Sequence, residues 1–209
     1  MYKVVKRTFD FFSSLALFVV ISPIYLALMI LVRTEIGSPI YFTQIRTGYH
    51  GKKFAIKKFR SMTEEKDENG NYLPDEVRLT KFGNWLRRTS LDELPELFCI
   101  IKGDMSVIGP RPLPPEYDDY YTEEEKKRFN VRGGLVPPEV LYRDVEPSWD
   151  NQLHYEADYA ESLSIVLDIK ILMAALKGVF IRYSNDYGEY VRKSLSEERE
   201  GIRKEGGGL

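Results

Sequence analysis

Residues 11–32 carry no charged side chain, and the run is apolar except at Ser13, Ser14, Ser22 and Pro23. As one straight helix it is roughly 33 Å long, enough for the ~30 Å hydrocarbon core of a bilayer. A buried helix of a soluble protein is the lesser alternative, given this length without charge. A cleaved signal peptide fits less well, because no small-x-small site follows and Pro23 sits in mid-run.

Both flanks of the run are basic. Lys3, Lys6 and Arg7 precede it; Arg33, Arg46, Lys52, Lys53, Lys57, Lys58 and Arg60 follow. By the positive-inside rule both ends prefer the cytoplasmic face. A break at Ser22-Pro23 resolves the conflict, since each arm is then about 17 Å long and reaches about mid-bilayer. Pro23 removes one backbone hydrogen bond, and Ser22 can re-satisfy the freed carbonyl. Asp10, near the entry, is placed to pair with Arg7 or Lys6. The expectation is a re-entrant membrane helix rather than a span.

The remaining length, in a chain of 209 residues, suits one compact domain with a real core. The boundaries expected are a membrane helix over 1–33, a cytoplasmic domain over 34–183 and a polar, frayed tail over 184–209. A net charge of -2 argues against nucleic acid as a partner. Cys99 is the only cysteine, which points to a reducing, cytoplasmic setting. With His50 and His154 as the only imidazoles, a zinc site is not expected.

Short β-prone runs at 39–45 and 53–59 flank Thr47-Gly48-Tyr49-His50-Gly51 and predict a hairpin. Lys58 and Arg60 then share a strand face, suited equally to phosphate or to lipid headgroups. Residues 64–78 form a polar loop. Residues 80–101 read as helix apart from a turn at Thr89-Ser90, with Trp85 and Leu86 on an interface-suited side. Thr122 and Glu125 make a capping box. Arg132 and Arg143 flank a Gly-then-Pro loop and can reach an anion or a structural acid. Residues 156–183 form one or two helices, apolar over more than one stripe, in which Asp168 and Lys170 disfavour a bilayer span. The fold class expected is α+β: mostly helical, with a small β-hairpin, the re-entrant helix and interfacial amphipathic helices.

Residues 87–112 read R-R-T-S-L-D-E-L-P-E-L-F-C-I-I-K-G-D-M-S-V-I-G-P-R-P. Adjacent acids, Asp92 and Glu93, follow the basic pair Arg87-Arg88, and the stretch ends with Arg111 held between two prolines. One reading is structural, because Ser90-Leu91-Asp92-Glu93 fits a capping box. Against it, Pro95 would then be the fifth helical residue, where its missing N–H and ring clash are costly. A helix starting near Leu94 tolerates Pro95 better and leaves the two acids on the turn before it, beside free N–H groups that attract phosphate. Spacing leaves both readings open.

Taken in order, several blocks resemble the monotopic phosphoglycosyl transferases, or bacterial sugar transferases. These are the basic-apolar start broken by Ser22-Pro23; Phe42-Thr43-Gln44-x-Arg46-x-Gly48; Lys58-Phe59-Arg60-Ser61-Met62; Arg87-x-x-Ser90-Leu91-Asp92-Glu93-Leu94-Pro95-Glu96-Leu97; and Lys102-Gly103-Asp104-Met105-Ser106-x-x-Gly109-Pro110-Arg111-Pro112. The resemblance covers roughly residues 1–115.

The resemblance implies a transferase that moves a sugar-1-phosphate from a UDP-sugar to undecaprenyl phosphate and releases UMP. Asp92 would be the nucleophile of a ping-pong reaction through a covalent phosphosugar intermediate, and Glu93 would help bind Mg²⁺. Lys58, Arg87 and Arg111 match family basic positions near the phosphates; Arg60, Arg132 and Arg143 are further phosphate- or nucleotide-binding candidates from their own positions. The setting implied is the bacterial inner membrane, with the catalytic domain facing the cytoplasm. The products implied are capsule, exopolysaccharide or O-antigen, with downstream glycosyltransferases as partners.

Downstream the chain departs from the family's R-P-G-[LIVM]-T-G-x-A-Q-V-x-G-R pattern. Arg132 is followed by Gly133-Gly134, and Val136-Pro137-Pro138-Glu139-Val140 replaces the usual run. The identity of the sugar is therefore open. Two other classes are a Mg²⁺-dependent glycosyltransferase that releases UDP and a non-catalytic membrane scaffold.

Overall fold

The computed structural model describes residues 2–142, 148–182 and 193–204. Helix α1 (Tyr2–Glu35) runs through Pro23 without interruption. The expected break at Ser22-Pro23 is therefore not a gap between two helices. The local chemistry explains the continuity: Pro23 cannot donate to the carbonyl four residues back, Val19, and the Ser22 hydroxyl donates to that carbonyl instead at 2.8 Å. Much of α1 is bare. Val20 is 75% exposed and Ile30 65%, and only 17% of the most apolar window is buried. By length and composition this helix can cross a membrane.

The chain divides into two compact units, residues 11–44 with 55–102, and residues 1–10 with 45–54 and 103–209. Strands β1 (Tyr41–Thr47) and β2 (Lys53–Phe59) pair as the predicted hairpin and carry the chain from one unit to the other and back. Its turn places His50 (φ 53°) and Gly51 (φ 71°) in left-handed conformations.

In the first unit one stripe of α1, Tyr25, Leu28 and Val32, packs with Ile36, Phe59 and Leu86. Tyr41 stacks on Phe59 with ring centroids 5.6 Å apart, and the Tyr25 and Tyr41 hydroxyls are 2.9 Å apart. A short helix α2 (Asp75–Arg78) closes the polar loop. Helix α3 (Lys81–Arg88) is capped by Thr80, whose hydroxyl accepts from the Gly83 amide at 2.9 Å. Gly83 is the contact point of α3, because a Cβ there would stand 1.8 Å from the Ser61 carbonyl oxygen. Of the two residues expected at an interface, Trp85 is 46% exposed whereas Leu86 is fully buried in the core. Helix α4 (Leu97–Lys102) follows a 3-10 helix over Leu91–Glu96.

In the second unit β3 (Met105–Ile108) runs parallel to β4 (Gly133–Val136), with Met105 opposite Gly133 and Ile108 opposite Val136. Between them the Thr122–Glu125 capping box forms as predicted: each backbone amide donates to the other's side chain, at 2.8 and 3.2 Å. The expected 156–183 helical region is two helices, α5 (Trp149–Glu161) and α6 (Ile165–Arg182). Tyr159 and Ile171 pack with Ile108 and Val131. On its other side α6 leaves Ile165, Val166, Ile169, Leu172, Met173 and Leu176 exposed, a single apolar stripe at helical spacing. Helix α7 (Leu195–Lys204) buries Leu195 against Trp149 and Leu153, so this part of the tail is packed rather than frayed.

Candidate active site

The acidic pair sits on the 3-10 helix Leu91–Glu96, entered through Ser90 in a left-handed conformation (φ 55°). Ser90 makes no side-chain cap, so the capping-box reading is not the one the chain adopts. Pro95 lies inside this short helix, two residues before α4 begins at Leu97, where it interrupts no α-helical ladder. Adjacent residues on so tight a helix point apart, and their environments differ. Asp92 is 9% exposed. Burial pushes its carboxyl above the usual aspartate range, Lys58 and Arg87 pull it down, and the neighbouring Glu93 charge pushes it up. The net displacement is upward.

Lys58, at the end of β2, reaches this helix from the opposing strand. Its ammonium donates to Glu93 at 2.5 Å and lies 3.4 Å from Glu96, a buried acid that spacing alone did not single out. Arg87, in the last turn of α3, donates from Nε to the Ser61 hydroxyl at 2.8 Å. That bond orients the guanidinium plane. Ser61 is thus a second contributor missed by spacing; its only signal was membership of the block that contains Lys58.

Arg60 does not join this group. Its two terminal nitrogens donate to the carbonyls of Ser38 and Ile36 at 2.7 and 2.9 Å, and Glu64 lies 3.3 Å away. The shared face with Lys58 is lost because β2 ends at Phe59. Arg60 instead clamps the chain as it leaves α1.

Arg111 and Arg132 belong to the other unit. The turn Gly109-Pro110-Arg111-Pro112 lies against β4: the Gly134 amide donates to Pro110 at 2.9 Å and the Gly109 amide to Val136 at 3.1 Å. A Cβ at Gly134 would stand 2.1 Å from the Gly109 nitrogen, which gives the Gly133-Gly134 pair its structural reason. The Arg111 peptide is held on both sides, its amide donating to Glu156 at 2.9 Å and its carbonyl accepting from Arg128 at 2.5 Å. Arg128 and Glu156 are themselves a buried ion pair at 2.6 Å. Beside them burial, reinforced by the Glu156 charge, pushes Glu139 up to about 7. So the exposed Arg111 side chain projects from a rigid base.

Arg132 donates from Nε to the Gly103 carbonyl at 2.8 Å and covers the Tyr49 ring at 5.1 Å. Arg143 lies outside the described residues. Asp10 pairs with Lys6 at 4.0 Å, as expected; the same ammonium lies 2.7 Å from Asp168, and Asp10 also accepts from the Ser106 hydroxyl at 2.7 Å.

Among the described residues no three Asp, Glu, His or Cys side chains gather as a metal cage. The carboxylate oxygens of the acidic pair are the hard donors that magnesium takes, one or two at a time, together with water and substrate phosphates. Glu93 is the accessible carboxylate of the pair, half-buried where Asp92 is buried.

Residues 1–182 match the family described as bacterial sugar transferase. The chain is 42% identical over 178 residues to the uncharacterized sugar transferase EpsL of Bacillus subtilis (strain 168), covering 85% of this chain and 88% of that one. It is 34% identical to the UDP-glucose:undecaprenyl-phosphate glucose-1-phosphate transferase of Klebsiella pneumoniae, over 87% of this chain and 41% of that enzyme. It is 31% identical to the undecaprenyl-phosphate galactose phosphotransferase of Salmonella typhimurium, over 85% of this chain and 40% of that enzyme. The chain therefore spans less than half of these last two relatives.

Proposed function

Because the chain belongs to the bacterial sugar transferase family, we propose that it moves a sugar-1-phosphate from a UDP-sugar to undecaprenyl phosphate, with Asp92 as the nucleophile. The transferase class follows from the family, and the substrates are those in the names of the glucose and galactose relatives. The observation that carries the role of Asp92 is its setting: a buried carboxylate flanked by Lys58 and Arg87, next to a second acid engaged by Lys58.

In the first displacement a carboxylate oxygen of Asp92 attacks the phosphorus that bears the sugar. The bond to the bridging oxygen breaks and UMP leaves with that electron pair. The product is an acyl phosphate linking Asp92 to the sugar phosphate. In the second, a phosphate oxygen of undecaprenyl phosphate attacks the same phosphorus and the Asp92 carboxylate is released. Splitting the transfer in this way gives ping-pong kinetics. Like-charge repulsion between carboxylate and diphosphate opposes the first step, and Arg87, oriented by Ser61, and Lys58 offset it. Glu93 would hold Mg²⁺, which when bound supplies further neutralisation of phosphate charge. Arg111 would bind an anionic oxygen of a substrate, a role its clamped peptide supports.

The acceptor is a lipid, so the site belongs at a membrane surface. The bare apolar face of α1 and the exposed stripe of α6 support this placement. Basic flanks at both ends of α1 and the Ser22-Pro23 pair support a helix that enters the inner membrane from the cytoplasm and returns. The product would feed exopolysaccharide synthesis. The test is a panel of UDP-sugars with undecaprenyl phosphate and Mg²⁺, read as nucleotide released. UMP is the expected product; UDP would assign the chain to sugar transfer without phosphate.

A further inference from the structure

We propose that the pocket at the foot of α1, lined by Lys3, Arg7 and Arg132, binds phosphate and seats the headgroup of an anionic membrane phospholipid. The proposal rests on the reading that α1 lies in a bilayer. All the residues involved belong to residues 1–10, 45–54 and 103–209, and none is part of the Asp92 group.

The charges in the pocket do not balance. Its one acid, Asp10, accepts from Ser106 and from the Val107 amide, and Lys6 is held mainly by Asp168. Lys3 donates to the Asn130 carbonyl at 3.1 Å, and among the described residues no carboxylate lies within ion-pair distance of it. Arg132 likewise meets no carboxylate there, only the Gly103 carbonyl and the Tyr49 ring. The guanidinium of Arg7 converges on the same glycine, since a Cβ at Gly103 would stand 3.1 Å from it. The Arg132 fork and the Lys3 ammonium beside one concavity match the oxygens of a phosphate. Tyr49 holds the Arg132 plane by its ring face.

A soluble phosphate would need these cations only. The pocket offers more. Its cations on α1 stand one to two turns before the uncharged run begins at Phe11, which is the headgroup depth of an inserted helix. Leu163 lines the pocket, and two residues on begins the exposed apolar stripe of α6 at Ile165 and Val166. A polar subsite continuous with an apolar strip is complementary to a phosphate carrying acyl chains.

Native mass spectrometry of the full chain, released from micelles holding equal phosphatidylglycerol and phosphatidylcholine, tests the idea. The expected result is retention of phosphatidylglycerol in preference, reduced about tenfold in the Lys3→Gln/Arg132→Gln variant and unchanged in Lys126→Gln. Retention by the double variant equal to the parent overturns the proposal. Displacement of the lipid by millimolar inorganic phosphate assigns the pocket to a soluble phosphate and overturns the lipid source. Lys3 is exposed, so Lys3→Gln alone keeps the fold and must lower retention if the double variant does not fold. Vesicle flotation of the parent chain separates this outcome from failure of the membrane reading. UMP release separates it from failure of the proposed activity.

Discussion

The Lys58 ammonium lies 2.5 Å from a carboxylate oxygen of Glu93, an acid that is adjacent in sequence to Asp92. Lys58 and Glu93 are 35 residues apart, on the hairpin and on the 3-10 helix. Through this pair the strand fixes the helix that carries the proposed nucleophile.

Asp92→Asn should abolish both UMP release and the phosphosugar adduct seen by intact-protein mass spectrometry. Persistent turnover in this variant would remove Asp92 from the chemistry. Glu93→Gln should retain the adduct while requiring more Mg²⁺, because it lowers the negative charge available to a cation without removing the attacking oxygen.

Burial raises the Asp92 carboxyl above the usual aspartate range, and only the ionised form attacks. The rate of adduct formation should therefore rise with pH through that raised value and then level off. Lys58→Met should shift the rising limb further upward, since it deletes the strongest cationic influence on Asp92.

Ser61→Ala should reduce kcat/KM by roughly tenfold without unfolding the chain, because one hydrogen bond to a charged group contributes about 1.5–3 kcal/mol and part of it is replaced by water. Gly83→Ala should act differently. A Cβ 1.8 Å from the Ser61 carbonyl forces α3 away from its support, so Tm should fall together with activity.

Glu139 is shifted upward to about 7 by burial and by the Glu156 charge, so the folded chain holds a proton there that the unfolded chain has released. Stability from this group is full below the unfolded carboxylate range and declines as pH rises toward 7. The slope is at most about 1.4 kcal/mol per pH unit. Denaturant melts at pH 5 and 7.5 should show the decline, and Glu139→Gln should flatten it.

Pro23→Ala should restore the α1 backbone bond to Val19 and favour a straight span. Cysteine labelling near Tyr2 should then find the N-terminus on the far face, whereas in the parent chain it is expected on the cytoplasmic face.

Local chemistry made part of the molecule legible before any fold was known. The uncharged run, the hairpin around Thr47-Gly48, the Thr122–Glu125 box and the acidic pair with Arg87 are each written in one continuous stretch. Other parts were misread for identifiable reasons. Arg60 looked like a partner of Lys58, but β2 ends one residue before it and two backbone carbonyls take its donors. Leu86 looked like an interface residue because Trp85 precedes it, yet on α3 the two side chains point to opposite surroundings.

By itself the sequence determined the family, through blocks kept in order, and a helix long and apolar enough to cross a membrane. Those properties depend on residue identity and short spacing. Tertiary structure alone decided which partner each of these cations takes. Lys58 with Glu93, Arg87 with Ser61, Arg128 with Glu156 and Arg132 with Tyr49 are pairings across distant segments, set by where strands and helices end. A single sequence carries no signal for contacts of that kind, because they arise from packing the elements and not from any periodicity within them.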